Sequence, residues 1–321
     1  MNTTPSTSEE FSDPYTIVGG ERTDRKMQTP PLLSLLLLNR GGKPFRREYF
    51  RELDQLGDLE IISIEPGRGT YDVEALSRKF PKIRFLLLRT QLTRGEQINL
   101  GIKEAAGRYV FVFWNDMKVV SPLTVSLLKR LHNSERLCTV PIIQNTRMET
   151  VPSIMVPAFY KKTIKVIPMV PQQTDIKTLF PFDYCGLYHR ERFLSTGGYD
   201  RQLTNPYWQK VDFGFRSHMW GESIKCDTSF RVRYLAEQTP EDTTADVSYK
   251  LFFLKNLTIR FGGDSGILPL SRLFPYYLRS GSGLISAIRD FFSVRRWVKD
   301  NRYRFVKDAR SVTDLWEESE E

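Results

Sequence analysis

The chain has 321 residues, 40% hydrophobic and 26% charged, which supports a full apolar core and excludes a disordered or fibrous chain. Its formal charge is +9, although Ser311–Glu321 carries five acids and no base, so the rest is strongly basic and favours polyanionic partners: nucleic acid, anionic lipid or phosphorylated substrates. Three cysteines without a CxxC pair, and His132, His189 and His218 without metal spacing, argue against a zinc site and point to a cytoplasmic chain.

Residues 1–28 are rich in Ser, Thr, Glu and Asp without apolar period and read as a mobile arm. The run "PLLSLLLL" (Pro31–Leu38) is too short to span a bilayer and lacks a signal-cleavage pattern, so it reads as a buried strand. "REYFRELDQL" puts Tyr49, Phe50, Leu53 and Leu56 near one helical face. A second apolar run, Leu59–Ile64, stops at the turn signature "EPGRGT", and "DVEALSRKF" follows as a short amphipathic helix. The third run is Ile83–Arg89. "RGEQINLGIKEAAG" (Arg94–Gly107) reads as a helix with Ile98, Ile102 and Ala105 inward, closed by Gly107. "YVFVFW" is the fourth run.

Strand and helix alternate in steps of about 25 residues, and the strands are apolar throughout. Both features predict an α/β fold with a mostly parallel central sheet and helices on both faces. Such sheets bind ligands at the carboxyl ends of their strands. Asn115 and Asp116 fall at that edge of the fourth strand, and Glu65 falls at the same edge of the second. Beyond Ser121 the pattern continues with a helix in "LTVSLLKRLH", strand-like pieces between prolines over 138–185, a strand and short helix in "FPFDYCGLYHRERFLSTGGYD", and a helix and strand in "KVDFGFRSHMWGESIKC".

Four of these pieces, "EIISIEPGRGT", "RGEQINLGIKEAAGRYVFVFWNDM", "TGGYD" and "QKVDFGFRSHMWGESIKC", occur in an order that resembles the family 2 glycosyltransferases, the inverting GT-A type. The resemblance spans roughly residues 32–226. It implies a GT-A nucleotide-diphospho-sugar transferase-like domain over 29–260, with a nucleotide-binding half (29–120) and an acceptor half (121–260). It implies a nucleotide-sugar donor, a divalent metal (Mn2+ or Mg2+), and transfer to a hydroxyl, in the family's habit on a cell-envelope glycan or lipid-linked saccharide. Asp116 matches the second acid of the family's DxD step, with Trp114 in place of the first and Asn115 between. It is therefore the candidate metal ligand, the alternative being a cap for a turn or for the next helix. A hard cation held by carboxylate oxygen would stabilise the diphosphate leaving group. Glu65 matches the acid that meets the nucleotide base, or is a turn acid before Pro66. Gly95 and Asn99 match a helix beside the nucleotide, or serve helix entry and packing.

The family's catalytic "ED" pair reads Gln209-Lys210 here. Lysine is protonated at neutral pH and makes a poor base. Asp212 or Asp183 would then act as base, Lys210 would contact a phosphate as a point charge, and Asp212 alternatively pairs with Arg216 along a helix. The alternative for the whole chain is a non-catalytic nucleotide-sugar binder or scaffold.

The segment 261–310 reads as a basic helical extension, followed by the acidic tail 311–321. Arg279–Arg310 holds nine basic and three acidic residues, with Leu284, Ile288, Phe291, Phe292 and Val298 at helical spacing. Such a helix lies on an anionic membrane surface, here the inner face, or docks on the domain with its charges in water. No RNA- or DNA-binding motif is present, so nucleic acid is the weakest partner class.

Overall fold

The computed structural model describes residues 14–20, 31–40, 47–54, 59–67, 73–121, 129, 136–160, 163–238, 240–281 and 283–316. Over these the strands are β1 (Tyr15–Gly19), β2 (Leu33–Leu38), β3 (Glu60–Pro66), β4 (Ile83–Leu88), β5 (Tyr109–Trp114), β6 (Met117–Val119), β7 (Cys138–Gln144), β8 (Ile154–Tyr160), β9 (Thr163–Met169), β10 (Gly186–His189), β11 (Ile224–Tyr234), β12 (Arg260–Gly262) and β13 (Ser265–Ile267). The helices are α1 (Arg47–Asp54), α2 (Val73–Lys79), α3 (Arg94–Glu104), α4 (Arg190–Ser195), α5 (Pro206–Met219), α6 (Val247–Phe252), α7 (Leu273–Ser280), α8 (Leu284–Asp300) and α9 (Ala309–Asp314).

Nine of these strands form one sheet in the order β1-β4-β3-β2-β5-β10-β7-β11-β6. The block β4-β3-β2-β5 is parallel throughout, and β7 and β11 run the same way, so six of the nine share one direction. β1, β10 and β6 run against them. The composition of β2 and β5 demands this place: all residues of both strands are buried, as in a parallel sheet covered on both faces. Ser34 is the polar exception in β2. Its hydroxyl donates to Glu60 and accepts from the amide of Gly107 at 2.8 Å. Glu60 also accepts from Arg84 at 2.7 Å and from the Ala106 amide at 2.8 Å, so this buried carboxylate is paired.

α3 is set by its sequence. Thr93 caps it, accepting from the Glu96 amide while the Glu96 carboxylate accepts from the Thr93 amide, a reciprocal capping box. Gly101 lets the helix close onto β2, where a Cβ would stand 2.4 Å from Leu36 Cδ1. The helix ends at Glu104 with Ala105 extended, rather than running to Gly107 as its composition predicts. Gly107 instead abuts Ser34, whose Oγ would lie 2.4 Å from a Cβ there.

Part of the expected mobile arm is a strand. Residues 15–19 form β1, pairing antiparallel with β4 from Tyr15↔Leu88 to Gly19↔Arg84. The run Tyr-Thr-Ile-Val is rich in β-formers and covers an otherwise open sheet edge. The rest of the arm, most of "LTVSLLKRLH" and Leu56 lie outside the described residues.

A second apolar core lies between α5 and the C-terminal segments, including Trp208, Val211, Phe215, Met219, Phe252, Phe291, Val294, Val298 and Trp316. The basic extension is therefore docked: α8 buries Ala287, Phe291, Val294 and Val298. The start of the acidic tail is docked too, through Val312 and Trp316. Among the described residues no helix is long and apolar enough to cross a membrane.

His218, on the last turn of α5, is 1% exposed, lies 3.0 Å from the Thr178 carbonyl and meets Trp316 edge-on at 5.1 Å. Burial pushes its pKa down to about 3. An unfolded histidine accepts a proton near 6.5, so this residue contributes stability above that pH, and the contribution is lost as pH falls toward 3. Urea unfolding between pH 7 and 4 should show falling stability, with a shallower decline in His218→Gln.

Candidate functional site

Register brings the candidate residues together. Leu38 of β2 stands opposite Ile64 of β3 on one side and Trp114 of β5 on the other. The next residue of each strand is polar: Asn39, Glu65 and Asn115. Parallel pairing sets all three at one height on the carboxyl edge of the sheet. Their side chains form a chain of hydrogen bonds. Ser63 donates to Glu65 at 2.7 Å, Asn39 reaches the other Glu65 oxygen at 3.5 Å, and Asn115 donates to Asn39 at 3.2 Å. Asn115 then accepts from the backbone amide of Arg40 at 3.1 Å. Glu65 is fully buried here, so its carboxylate holds the strand ends in place.

One step further lies a charge cluster. The Arg40 guanidinium meets Asp116 through Nε at 3.2 Å and also pairs with Asp183. Tyr234 donates its hydroxyl to the same Asp183 oxygen at 2.6 Å, and Gln238 donates to Asp116 at 3.1 Å. Asp183 and Tyr184 both adopt left-handed backbone, with φ of 52° and 61°, a conformation that costs non-glycine residues about 1–2 kcal/mol each. The Trp114 indole donates to the Asp183 carbonyl at 2.7 Å, and Tyr184 donates to Pro206 and Gln209, both at 3.0 Å. Burial raises the Asp183 carboxyl above its ordinary range, against the opposing pull of Arg40 and Lys210. Burial pulls Arg40 down, but Asp183 and Asp116 carry it above its usual value.

Trp114 supports two cations. Arg40 lies 4.2 Å from its ring and Arg94 5.4 Å. Arg94 is the first residue of α3, fixed by the Thr93 cap, and donates to the Asn39 carbonyl at 3.3 Å. Among the described residues no carboxylate lies within ion-pair distance of it. Burial and the neighbouring Arg40 both push its pKa down.

The α5 residues sit elsewhere and are sealed. Gln209 accepts from the Gly95 amide at 2.9 Å and donates to Thr93 and to the Asp200 carbonyl. Gly95 permits this approach, since a Cβ would stand 2.5 Å from Gln209 and from Tyr199. Asn99 exchanges two hydrogen bonds with the backbone of Tyr199, at 2.7 and 2.8 Å. Gly95 and Asn99 thus join α3 to the "GGYD" turn and α5. Asp212 is fully buried, accepting from Asn256 at 2.7 Å and pairing with Arg216. Asn256 and Lys255 come from a π-helical turn, Phe253–Leu257, continuing α6, and Lys255 pairs with Asp200. The Lys210 side chain is 0% exposed, ringed by Phe180, Phe182 and Tyr184 at 5.1–5.9 Å, and pairs with Glu241. Glu241 belongs to the exposed segment 240–246, which α5 also holds through Asn205 to the Asp242 carbonyl and Trp208 to the Thr244 carbonyl.

The donor set fits a divalent ion poorly. Asp116 Oδ1 is buried without a hydrogen-bond partner and is one available ligand. Its other oxygen faces Arg40 and Gln238, while Asp183 is engaged by Arg40 and Tyr234. Among the described residues no three His, Cys, Asp or Glu side chains gather into a metal-holding set, and hard cations take six or more oxygens.

No family model and no curated protein matches the sequence. Solved structures do match the fold. GalNAc-T7, crystallised with UDP, GalNAc and Mn2+, superposes with a TM-score of 0.54 at 12% identity, covering 90% of this chain and 58% of that one. S. aureus TarS 1–349 in complex with UDP-GlcNAc gives 0.52 at 12% identity, covering 89% and 92%. The fold is that of the GT-A glycosyltransferases. A further structure of S. aureus TarS 1–349 gives 0.50 at 12% identity, covering 90% and 92%. On this GT-A fold, Glu65, Asn115 and Asp116 stand at the carboxyl edge of the sheet where the sequence places them, and Asn39, Arg40, Arg94 and Tyr234, which the sequence analysis does not name, stand beside them. The "NR" after β2 and the "TRGE" cap were the available signals.

The ring box predicts two opposite responses. Lys210→Met replaces a buried ammonium with an apolar chain of similar length and should change unfolding free energy by less than about 1.5 kcal/mol. Glu241→Ala, which strands the ammonium, should cost more. Urea titration of both variants checks this.

Proposed function

We propose that the chain transfers a sugar from a nucleotide-diphosphate donor to a hydroxyl, with inversion, using the strand-end cluster as its donor site. The observation that carries this is the convergence of Asp116 and Asp183 on Arg40 at the carboxyl edge of a GT-A sheet. In this reading the nucleobase lies toward Glu65, Asn39 and Asn115, and the diphosphate toward Arg40. Asp183 is the base. The acceptor oxygen attacks the anomeric carbon, the bond to the diphosphate breaks, and the hydroxyl proton passes to the Asp183 carboxylate. Its raised pKa suits that role, whereas Asp212 and Lys210 are closed off in the packing. The UDP and UDP-GlcNAc bound by the solved GT-A proteins make uridine donors the first to assay.

Donor turnover with UDP-, GDP- and dTDP-sugars tests the reading. Asp183→Asn should lower kcat by about 100-fold or more while donor affinity changes less than about tenfold. Unchanged turnover in that variant would remove Asp183 as base.

A second reading is a non-catalytic nucleotide-sugar binder. The favouring observation is Gln209, which stands where the resembled family has an acid and whose amide oxygen and nitrogen are both hydrogen-bonded within the packing. Donor binding without turnover on any sugar would select it.

The acceptor is a cell-envelope glycan or lipid-linked saccharide, reached from the inner membrane face. The support is the outer side of α8, where Leu284, Ile285 and Phe292 are exposed and Arg295, Arg296, Lys299 and Arg302 line a cavity of about 480 Å³. The full chain should pellet with anionic but not with neutral liposomes, and Arg295→Glu with Arg296→Glu should abolish pelleting.

A further inference from the structure

We propose that the donor's diphosphate is held by the guanidinium pair of Arg40 and Arg94 mounted on Trp114, in the place a divalent cation would otherwise take. This rests on the nucleotide-diphosphate reading above and names the chemistry of that site.

Three observations lead there. Arg40 lies between Asp116 and Asp183, bridging the two carboxylates as a cation would. A metal ion seated at Asp116 Oδ1 would stand beside this guanidinium, and like charges at such spacing repel strongly where water is scarce. Trp114 then presents an aromatic face beside Asp116, which suits a guanidinium and not a hard metal ion. That face cannot turn, because the indole N–H is spent on the Asp183 carbonyl at 2.7 Å. Finally, Arg94 shares the ring without a carboxylate of its own among the described residues.

Two guanidiniums on one indole repel each other, and the neighbouring Arg40 and burial both depress Arg94. A bound anion relieves that repulsion. A diphosphate fits the planar, bidentate geometry that guanidinium offers to phosphate oxygens. Arg40 is oriented by its two carboxylates and offsets one of their two charges, while Arg94, on the same ring, has no carboxylate of its own among the described residues. The capping box at Thr93 and the backbone bond from Arg40 to Asn115 hold the two residues in place before any ligand arrives.

Calorimetric titration of the full chain with UDP, GDP and dTDP, each in EDTA and in Mn2+, tests the inference. At least one diphosphate should bind with dissociation constants within about threefold in the two buffers. Arg94→Gln should weaken that diphosphate by about tenfold or more, Arg94→Lys by less, and neither should weaken the matching nucleoside. Thermal midpoints confirm that the variants fold, and the EDTA and Mn2+ comparison needs no variant. Binding that requires Mn2+, or is tightened by it about tenfold, overturns the inference and leaves the donor reading standing. So does undiminished diphosphate binding by a folded Arg94→Gln chain. Absence of binding by all three diphosphates in both buffers overturns the donor reading and this inference with it.

Discussion

Parallel pairing of β2 with both neighbours is the constraint on which the site depends. Once Leu38 is level with Ile64 and Trp114, the positions that follow are level too, and three polar side chains from distant sequence meet without a loop to arrange them. A shift of one residue would turn each strand's side chains to the opposite face. For β2 that shift would take Asn39 out of level with Glu65 and Asn115. The leucine-rich run that makes β2 a central strand is therefore what makes the polar edge a site.

The second constraint is the helix that belongs to both cores. α5 buries nearly its whole surface, and its polar side chains are used as ties: Gln209 to the start of α3, Asp212 to Asn256, Arg216 to the carbonyls of Thr196 and Gly198. Tyr184, held left-handed, leans its hydroxyl on Gln209. Strain at Asp183 and Tyr184 is thus borne by the same helix that closes the second core. Strand ends, strained turn and helix form one hydrogen-bonded unit.

Much of this was legible in the sequence. The four apolar runs, a helix starting at Arg94 and the edge position of Asn115 and Asp116 followed from periodicity and turn chemistry. So did the pairing of Asp212 with Arg216 along the helix, but the burial of Gln209 and Lys210 did not, because polar residues on a helix read as an outward or functional face. Here each is buried by a partner 31 or 114 positions away. The pairing of Arg40 with Arg94 was hidden for a related reason: their meeting place is the face of Trp114, which exists only when β2, β5 and α3 are assembled. Nor does Phe-Asp-Tyr announce a left-handed turn, since it contains no glycine. Tyr15–Gly19 was passed over because its polar surroundings hid a strand of five residues.

The mooring of segment 240–246 has a mechanical consequence. Asn205, Trp208 and Lys210 grip it from three successive stations on the first turns of α5. If the strap lifted alone, it would leave an ammonium walled in by three rings with its counter-charge gone. Strap and helix are therefore fastened together by three side chains. Through Gln209 the same helix is fastened to the backbone of Gly95, beside Arg94, so one helix ties the outer strap to the base of the cation pair.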